Sequence, residues 1–275
     1  MSLFDNTQFA FESKSDKDLK KAYYLYKLIG SPTLTKLGTK VFNLPFAVDI
    51  PFVKPIIRET IYKQFVGGET AEQGVVVANE LYKYHVSSIL DYSIEGLTEE
   101  KQFDEVRDVM LHLVDLAKAN PSIPFVVFKP TAFGRIELFE KVGKNQTLTA
   151  EEEKSWANIR QRFEAVCQKG YDLDVNIMID AEETWMQGSA DDLTDEMMVK
   201  YNTKRALVWN TLQMYRHDRL AYLKEMHAKA EREGYHLGFK IVRGAYMEKE
   251  RARAQAEGYP SPIQPNKEAS DRDYN

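Results

Sequence analysis

The sequence predicts an α/β chain carrying the first five or so strands of a (β/α)8 TIM-like barrel, truncated before closure and preceded by a helical N-terminal arm. Three observations predict it. Five short apolar runs recur from residue 86 onward, longer amphipathic segments alternate with them, and every run ends in polar residues. That is the pattern of βα units laid around a parallel sheet. Residues 1–85 instead show helical periodicity interrupted by Pro32, Pro45, Pro51 and Pro55, and read as an arm separate from the barrel portion at 86–275.

The expected strands are Val86 to Tyr92, Pro124 to Pro130, Asp174 to Asp180, Ala206 to Gln213 and His236 to Arg243. Each is rich in apolar residues, as strands covered on both faces require. Between the first two, Phe103, Val106, Met110, Leu113 and Ala117 recur at helical spacing and form one apolar stripe. Thr149-Ala150-Glu151-Glu152 is a capping box that opens the next long helix. Gly170 and Gly234 each follow a polar helix end and precede a strand, where a left-handed cap is wanted. An eightfold barrel takes about 250 residues, more than 86–275 supplies, so the chain is expected to stop three strands short. A doubly wound open sheet is the alternative, but no glycine-rich nucleotide turn follows any strand.

Composition narrows the function classes. The 275 residues are 43% hydrophobic and 29% charged, an ordinary globular balance. A net charge of -5 and a pI near 5.7 argue against nucleic-acid binding across the whole surface, which needs a basic face. The single cysteine, Cys167, excludes a disulfide framework or a cysteine-built metal site. The five histidines lack ligand spacing, so no metal is expected. The longest apolar region, Val41 to Ile57, is broken by charged residues and prolines and falls short of the roughly 20 residues that span a bilayer. With no secretory signal after Met1, a cytoplasmic protein is expected, with peripheral contact at the inner membrane left open.

In a βα barrel the C-terminal ends of the strands face the site. The polar residues there are Asp91 and Tyr92, then Lys129, then Asp180, Glu182 and Glu183, then Asn210 and Gln213, then Lys240, Arg243 and Tyr246. Lysines and arginines at a barrel mouth suit an anionic or electron-accepting ligand, which gains negative charge on reduction. Plainer readings stand beside this one. Asp180 fits a helix cap, Lys129 and Lys240 fit strand-end side chains snorkelling to water, and Gly67-Gly68 fits a simple turn. Lys129 or Lys240 could also serve a Schiff-base aldolase or lyase as nucleophile.

Six strings, in order, carry a family resemblance. They are Gln64-Phe65-Val66-Gly67-Gly68-Glu69-Thr70, Leu90-Asp91-Tyr92-Ser93-Ile94-Glu95-Gly96, Phe128-Lys129-Pro130-Thr131-Ala132, Ile179-Asp180-Ala181-Glu182-Glu183, Asn210-Thr211-Leu212-Gln213-Met214-Tyr215, and Lys240-Ile241-Val242-Arg243-Gly244-Ala245-Tyr246. Over residues 60 to 275 the chain resembles the proline dehydrogenases. The resemblance implies a flavoprotein that holds FAD noncovalently over the barrel mouth. It implies oxidation of L-proline to 1-pyrroline-5-carboxylate with electrons passed to a quinone, the first step of proline catabolism to glutamate.

By the same resemblance, Lys129 lies near the flavin and the substrate carboxylate, and Asp180 belongs to the hydrogen-bonded floor of the proline pocket. Gln213 bonds the polar edge of the flavin ring. Lys240 sits beside its N5 region, Val242, Arg243 and Gly244 place backbone and charge around the cofactor, and Tyr246 lines the substrate pocket. The family's later strands supply a Thr-His-Asn-type segment, and its last helix supplies paired arginines that clamp the carboxylate. Neither is found in this sequence. The alternative expectation is therefore a catalytically inert fragment with at most weak FAD binding.

Overall fold

The computed structural model describes residues 5–31, 55, 57–92, 94 and 96–275. Pro32, Pro45, Pro51, Ser93, Glu95 and most of the Val41 to Ile57 region lie outside the described residues. The chain divides into two units, Met1–Ser87 and Ser88–Asn275.

The first unit is helical where described. Helix α1 (Thr7–Ala10) begins where the Asn6 side chain accepts from the Phe9 N–H. Helix α2 (Asp16–Ile29) begins where Ser15 Oγ accepts from the Asp18 N–H. A π-helical turn, Arg58–Tyr62, runs into the short α3 (Lys63–Phe65). Thr70 then caps α4 (Ala71–Tyr82), while Gln73 reaches back to the Glu69 N–H at 2.8 Å. These are side chains satisfying donors that a helix start leaves open.

The second unit is built on a parallel sheet of four strands in the order β1 (Phe125–Phe128), β2 (Asn176–Ile179), β3 (Val208–Gln213), β4 (Phe239–Val242). Helix α5 (Glu100–Ala119) precedes β1 and buries all five residues of the predicted stripe. After β1 come a 3₁₀ turn at Pro130–Ala132, α6 (Ile136–Gly143) and the long α7 (Ala150–Leu173). Helices α8 (Thr184–Tyr201) and α9 (Arg219–Glu233) link the remaining strands, and α10 (Met247–Glu257) and α11 (Lys267–Tyr274) follow β4. No helix among the described residues is long and apolar enough to cross a membrane.

The register decides which side chains share a face, because successive residues of a strand point to opposite sides. Phe128 pairs with Ile179, Ile177 with Val208, and Thr211 with Lys240. One face therefore carries Val126, Phe128, Ile177, Ile179 and Val208 toward the helices, where Phe128, Phe133 and Phe163 form a ring cluster with centroids 4.7 to 5.7 Å apart. The other face carries Trp209, Thr211, Gln213, Lys240 and Val242, and the same alternation places Lys129 and Asp180 there, one residue past β1 and β2.

Four of the five expected strands form, each shorter than its apolar run. The run Val86 to Tyr92 contributes a single bridge, Leu90 to Val126. Val86, Ile89 and Tyr92 are all exposed, so this run lacks the double cover that continuous apolar strands need. The capping box at Thr149 forms with both of its bonds, and Gly234 is a left-handed cap at φ 78°. Gly170 is not a cap. Helix α7 continues to Leu173 and Asp174 takes the left-handed position, while Gly170 lies buried where a Cβ would meet Ile177 Cγ1 at 2.5 Å. The glycine there serves close helix-to-strand packing.

Candidate active site

The site is assembled at the C-terminal ends of the strands. Asp180 and Lys240 form an ion pair across the mouth. Thr211, on the strand between them, donates its hydroxyl to the Ile179 carbonyl at 3.0 Å and lies 3.4 Å from Asp180 Oδ1. Both charged side chains are about one-third exposed or less, so the pair is shielded while still open to a ligand.

Glu182 is 5% exposed and accepts from both the N–H and the hydroxyl of Thr131, at 3.0 and 2.7 Å. It thereby ties the turn after β2 to the turn after β1 that carries half-buried Lys129. Burial raises the Glu182 carboxyl above the usual range, against the pull of the Thr131 donors. Burial, followed by the Glu182 and Glu183 carboxylates, pushes the Tyr246 phenol well above its ordinary value, so it remains a neutral hydroxyl at neutral pH. Burial likewise lifts Tyr215 to about 12.

Gln213 is 1% exposed and donates Nε2 to the Glu182 carbonyl at 2.6 Å, while its Oε1 accepts from Arg216 at 3.3 Å. Val242 pairs with Gln213, and its carbonyl accepts from the Met214 N–H at 2.9 Å. Beyond it, Gly244 and Tyr246 line a hollow of about 540 Å³ with Met247, Lys249 and Arg251.

The predicted residues Lys129, Asp180, Gln213, Lys240 and Val242 are thus brought onto one face. Arg243 is not. It points the other way along the strand, donates to Asp271 at 2.7 Å and stacks over Tyr274 at 4.3 Å, so its charge is held by α11. Sequence reasoning passed over Thr131, Asp191, Arg216, Asp218 and Glu250, whose partners are 28 to 66 residues away or reached through a loop. The available signal was the Asp191-Asp192 pair between Ala190 and Leu193 in α8, of which Asp191 is the buried member.

A family model described as "Proline dehydrogenase" matches residues 76–275. The chain belongs to the proline dehydrogenase family. Among relatives, the carbapenem antibiotics biosynthesis protein CarD of Pectobacterium carotovorum subsp. carotovorum is 31% identical over 225 residues, 81% of this chain and 60% of that protein. The mitochondrial proline dehydrogenase 1 of Caenorhabditis elegans is 36% identical over 222 residues, 78% of this chain and 35% of that protein.

Among solved structures, proline utilization A (PutA) from Bdellovibrio bacteriovorus, inactivated by N-propargylglycine, matches with a TM-score of 0.68 at 18% identity, covering 98% of this chain and 29% of that one. The likeness establishes the fold, an α/β barrel type. The chain spans 60% or less of the length of each of these three proteins.

Proposed function

We propose that this proline dehydrogenase family chain serves FAD-dependent oxidation of L-proline to 1-pyrroline-5-carboxylate, with electrons passed to a quinone, and that residues 86–275 carry that barrel site, with residues 1–85 a helical N-terminal arm. The observation that carries the reading is the Asp180–Lys240 ion pair, set on the same face as Lys129, Gln213 and Val242 at the strand ends. The donor set fits a flavin. It offers an ammonium held in place by a carboxylate, an amide with one Nε2 proton beyond its bond to Glu182, and exposed backbone at Gly244.

FAD, when bound, supplies the two-electron acceptor. The chain's own residues bind and orient. Asp180 fixes the Lys240 ammonium so that positive charge stands ready where negative charge develops, without reorganising during the reaction. Lys129, on the turn that Glu182 holds through Thr131, offers a second cation for the substrate carboxylate. Neutral Tyr246 walls the pocket without bringing an anion to it.

A second reading, FAD binding without turnover, is favoured by the edge of β4, which has no partner strand among the described residues and leaves Ile241 40% exposed. One experiment separates the readings. The full chain is loaded with FAD and its visible spectrum followed anaerobically as L-proline is added. Bleaching supports oxidation; bound flavin without bleaching supports the second reading; no bound flavin overturns both.

A further inference from the structure

Behind the mouth, seven residues close a hydrogen-bonded ring around the end of β2. Gln213 Nε2 donates to the Glu182 carbonyl at 2.6 Å, and the Glu182 N–H donates to Gln187 Oε1 at 2.7 Å. Gln187 Nε2 donates to Asp191 Oδ1 at 2.8 Å, and Arg219 donates to the other Asp191 oxygen at 2.7 Å. The second arm of Arg219 reaches Asp218 at 2.6 Å. Arg216 grips Asp218 with a two-point fork at 3.0 and 2.7 Å and returns its remaining arm to Gln213 Oε1 at 3.3 Å.

Guanidinium groups only donate and ionised carboxylates only accept. Every link in the ring therefore has one permitted direction. Gln187 must turn its nitrogen to Asp191 and its oxygen to the Glu182 N–H. Gln213 must turn its oxygen to Arg216 and its nitrogen to the Glu182 carbonyl. Reversing Gln213 would set an oxygen against a carbonyl and an NH₂ against a guanidinium, inside a region where the amide is 1% exposed and water does not repair the mismatch.

We propose that Asp218 and Asp191, through Arg216 and Arg219, are positioning residues that lock the Gln213 side chain in one orientation. Its consequence for the cofactor rests on the reading of Gln213 as a flavin contact: the amide meets the ligand with its nitrogen and oxygen already assigned. Asp218 never touches the ligand and acts only through Arg216.

The test is a double-mutant cycle on the full chain with two readouts, chemical unfolding without ligand and FAD affinity by flavin fluorescence. The variants are Asp218→Asn, Gln213→Ala and the pair, with Asp218→Glu as the conservative rescue and Arg216→Lys as a second break that keeps the charge. In the ligand-free cycle the lock predicts coupling. Asp218→Asn lowers the folding equilibrium constant at least about fivefold less in the Gln213→Ala background than in the parent. Asp218→Glu recovers most of the loss, and Arg216→Lys reproduces it. Effects additive within about twofold, for both Asp218→Asn and Arg216→Lys, overturn the lock.

In the FAD cycle, Asp218→Asn weakens binding about tenfold in the parent and less than about twofold beside Gln213→Ala. Equal weakening in both backgrounds overturns the positioning role. If Gln213→Ala leaves FAD affinity unchanged while the ligand-free coupling holds, the lock stands and the flavin-contact reading falls.

Discussion

Glu250 caps the start of helix α8 from a different element, accepting from both the N–H and the hydroxyl of Thr184 at 2.7 and 2.6 Å. It sits on α10, just beyond β4, and is 1% exposed. The open donors at a helix start favour a carboxylate, and this one is supplied 66 residues downstream. The bond therefore docks α10, which begins next to Tyr246, onto the turn that follows Asp180–Glu183. Glu250→Ala leaves two partly buried donors of Thr184 unpaired and is expected to cost about 2 kcal/mol. Urea unfolding monitored by circular dichroism checks it, with Glu250→Gln losing less because its amide oxygen still accepts one of the two bonds.

Arg162, on α7, is a buried cation of the helix layer. At 2% exposed it bonds Asp104 at 2.9 Å, Glu100 at 2.6 Å and the Phe133 carbonyl at 3.0 Å. Removing the guanidinium leaves the Phe133 carbonyl unpaired beneath the turn that carries Lys129. Arg162→Leu should lower stability by about 3 kcal/mol, read from the denaturant midpoint at an unchanged slope.

Lys240 is the residue on which the proposed chemistry leans most. Lys240→Met strands Asp180 and removes the cation at the mouth, so proline-dependent dye reduction should fall about 100-fold. Lys240→Arg keeps the ion pair and should stay within about tenfold of the parent. Equal losses in the two variants would remove the charge from the account.

Acid stability has a defined sign at Asp218. Burial opposes its ionisation, but bonds from Arg219 and Arg216 hold the carboxyl down at about 2 against an ordinary value of 3.8. A depressed folded-state pKa gives stability that is present above the unfolded value and lost as pH falls through the folded one. The parent should therefore lose stability between about pH 4 and about pH 2, and Asp218→Asn should show a shallower fall across that window. Unfolding midpoints at stepped pH check it.

Arg243 lies at the edge of the site and holds α11 through Asp271 and Tyr274. Half-exposed contacts of this kind are each worth about 1 kcal/mol or less. Arg243→Ala, which loses both, should change global stability by no more than about 2 kcal/mol while amide exchange rises selectively across Lys267–Tyr274.

Much of the fold was written locally. The stripe from Phe103 to Ala117, the box at Thr149 and the cap at Gly234 each depend on residues within a few turns, and all three form as their spacing requires. Four apolar runs became parallel strands; β1 to β3 are covered along most of their length, whereas β4, at the sheet edge, leaves Ile241 40% exposed. The run at Val86 shared the composition but not the cover, and composition cannot report what packs on top. Gly170 shows the same limit, since its need for a missing Cβ is set by Ile177 across the helix-to-strand interface.

For the site, the sequence by itself determined which residue types stand at the strand ends and, through the alternation of each strand, that Lys129, Asp180, Gln213, Lys240 and Val242 can share a face. Only the tertiary structure decided their partners. Asp180 meets Lys240 from 60 residues away, Glu182 meets Thr131 from 51, and Arg243 is turned out to α11. The physical reason is range. Periodicity and capping are governed by neighbours along the chain, whereas a charge is fixed by whichever opposite group the register of the sheet brings within hydrogen-bond distance.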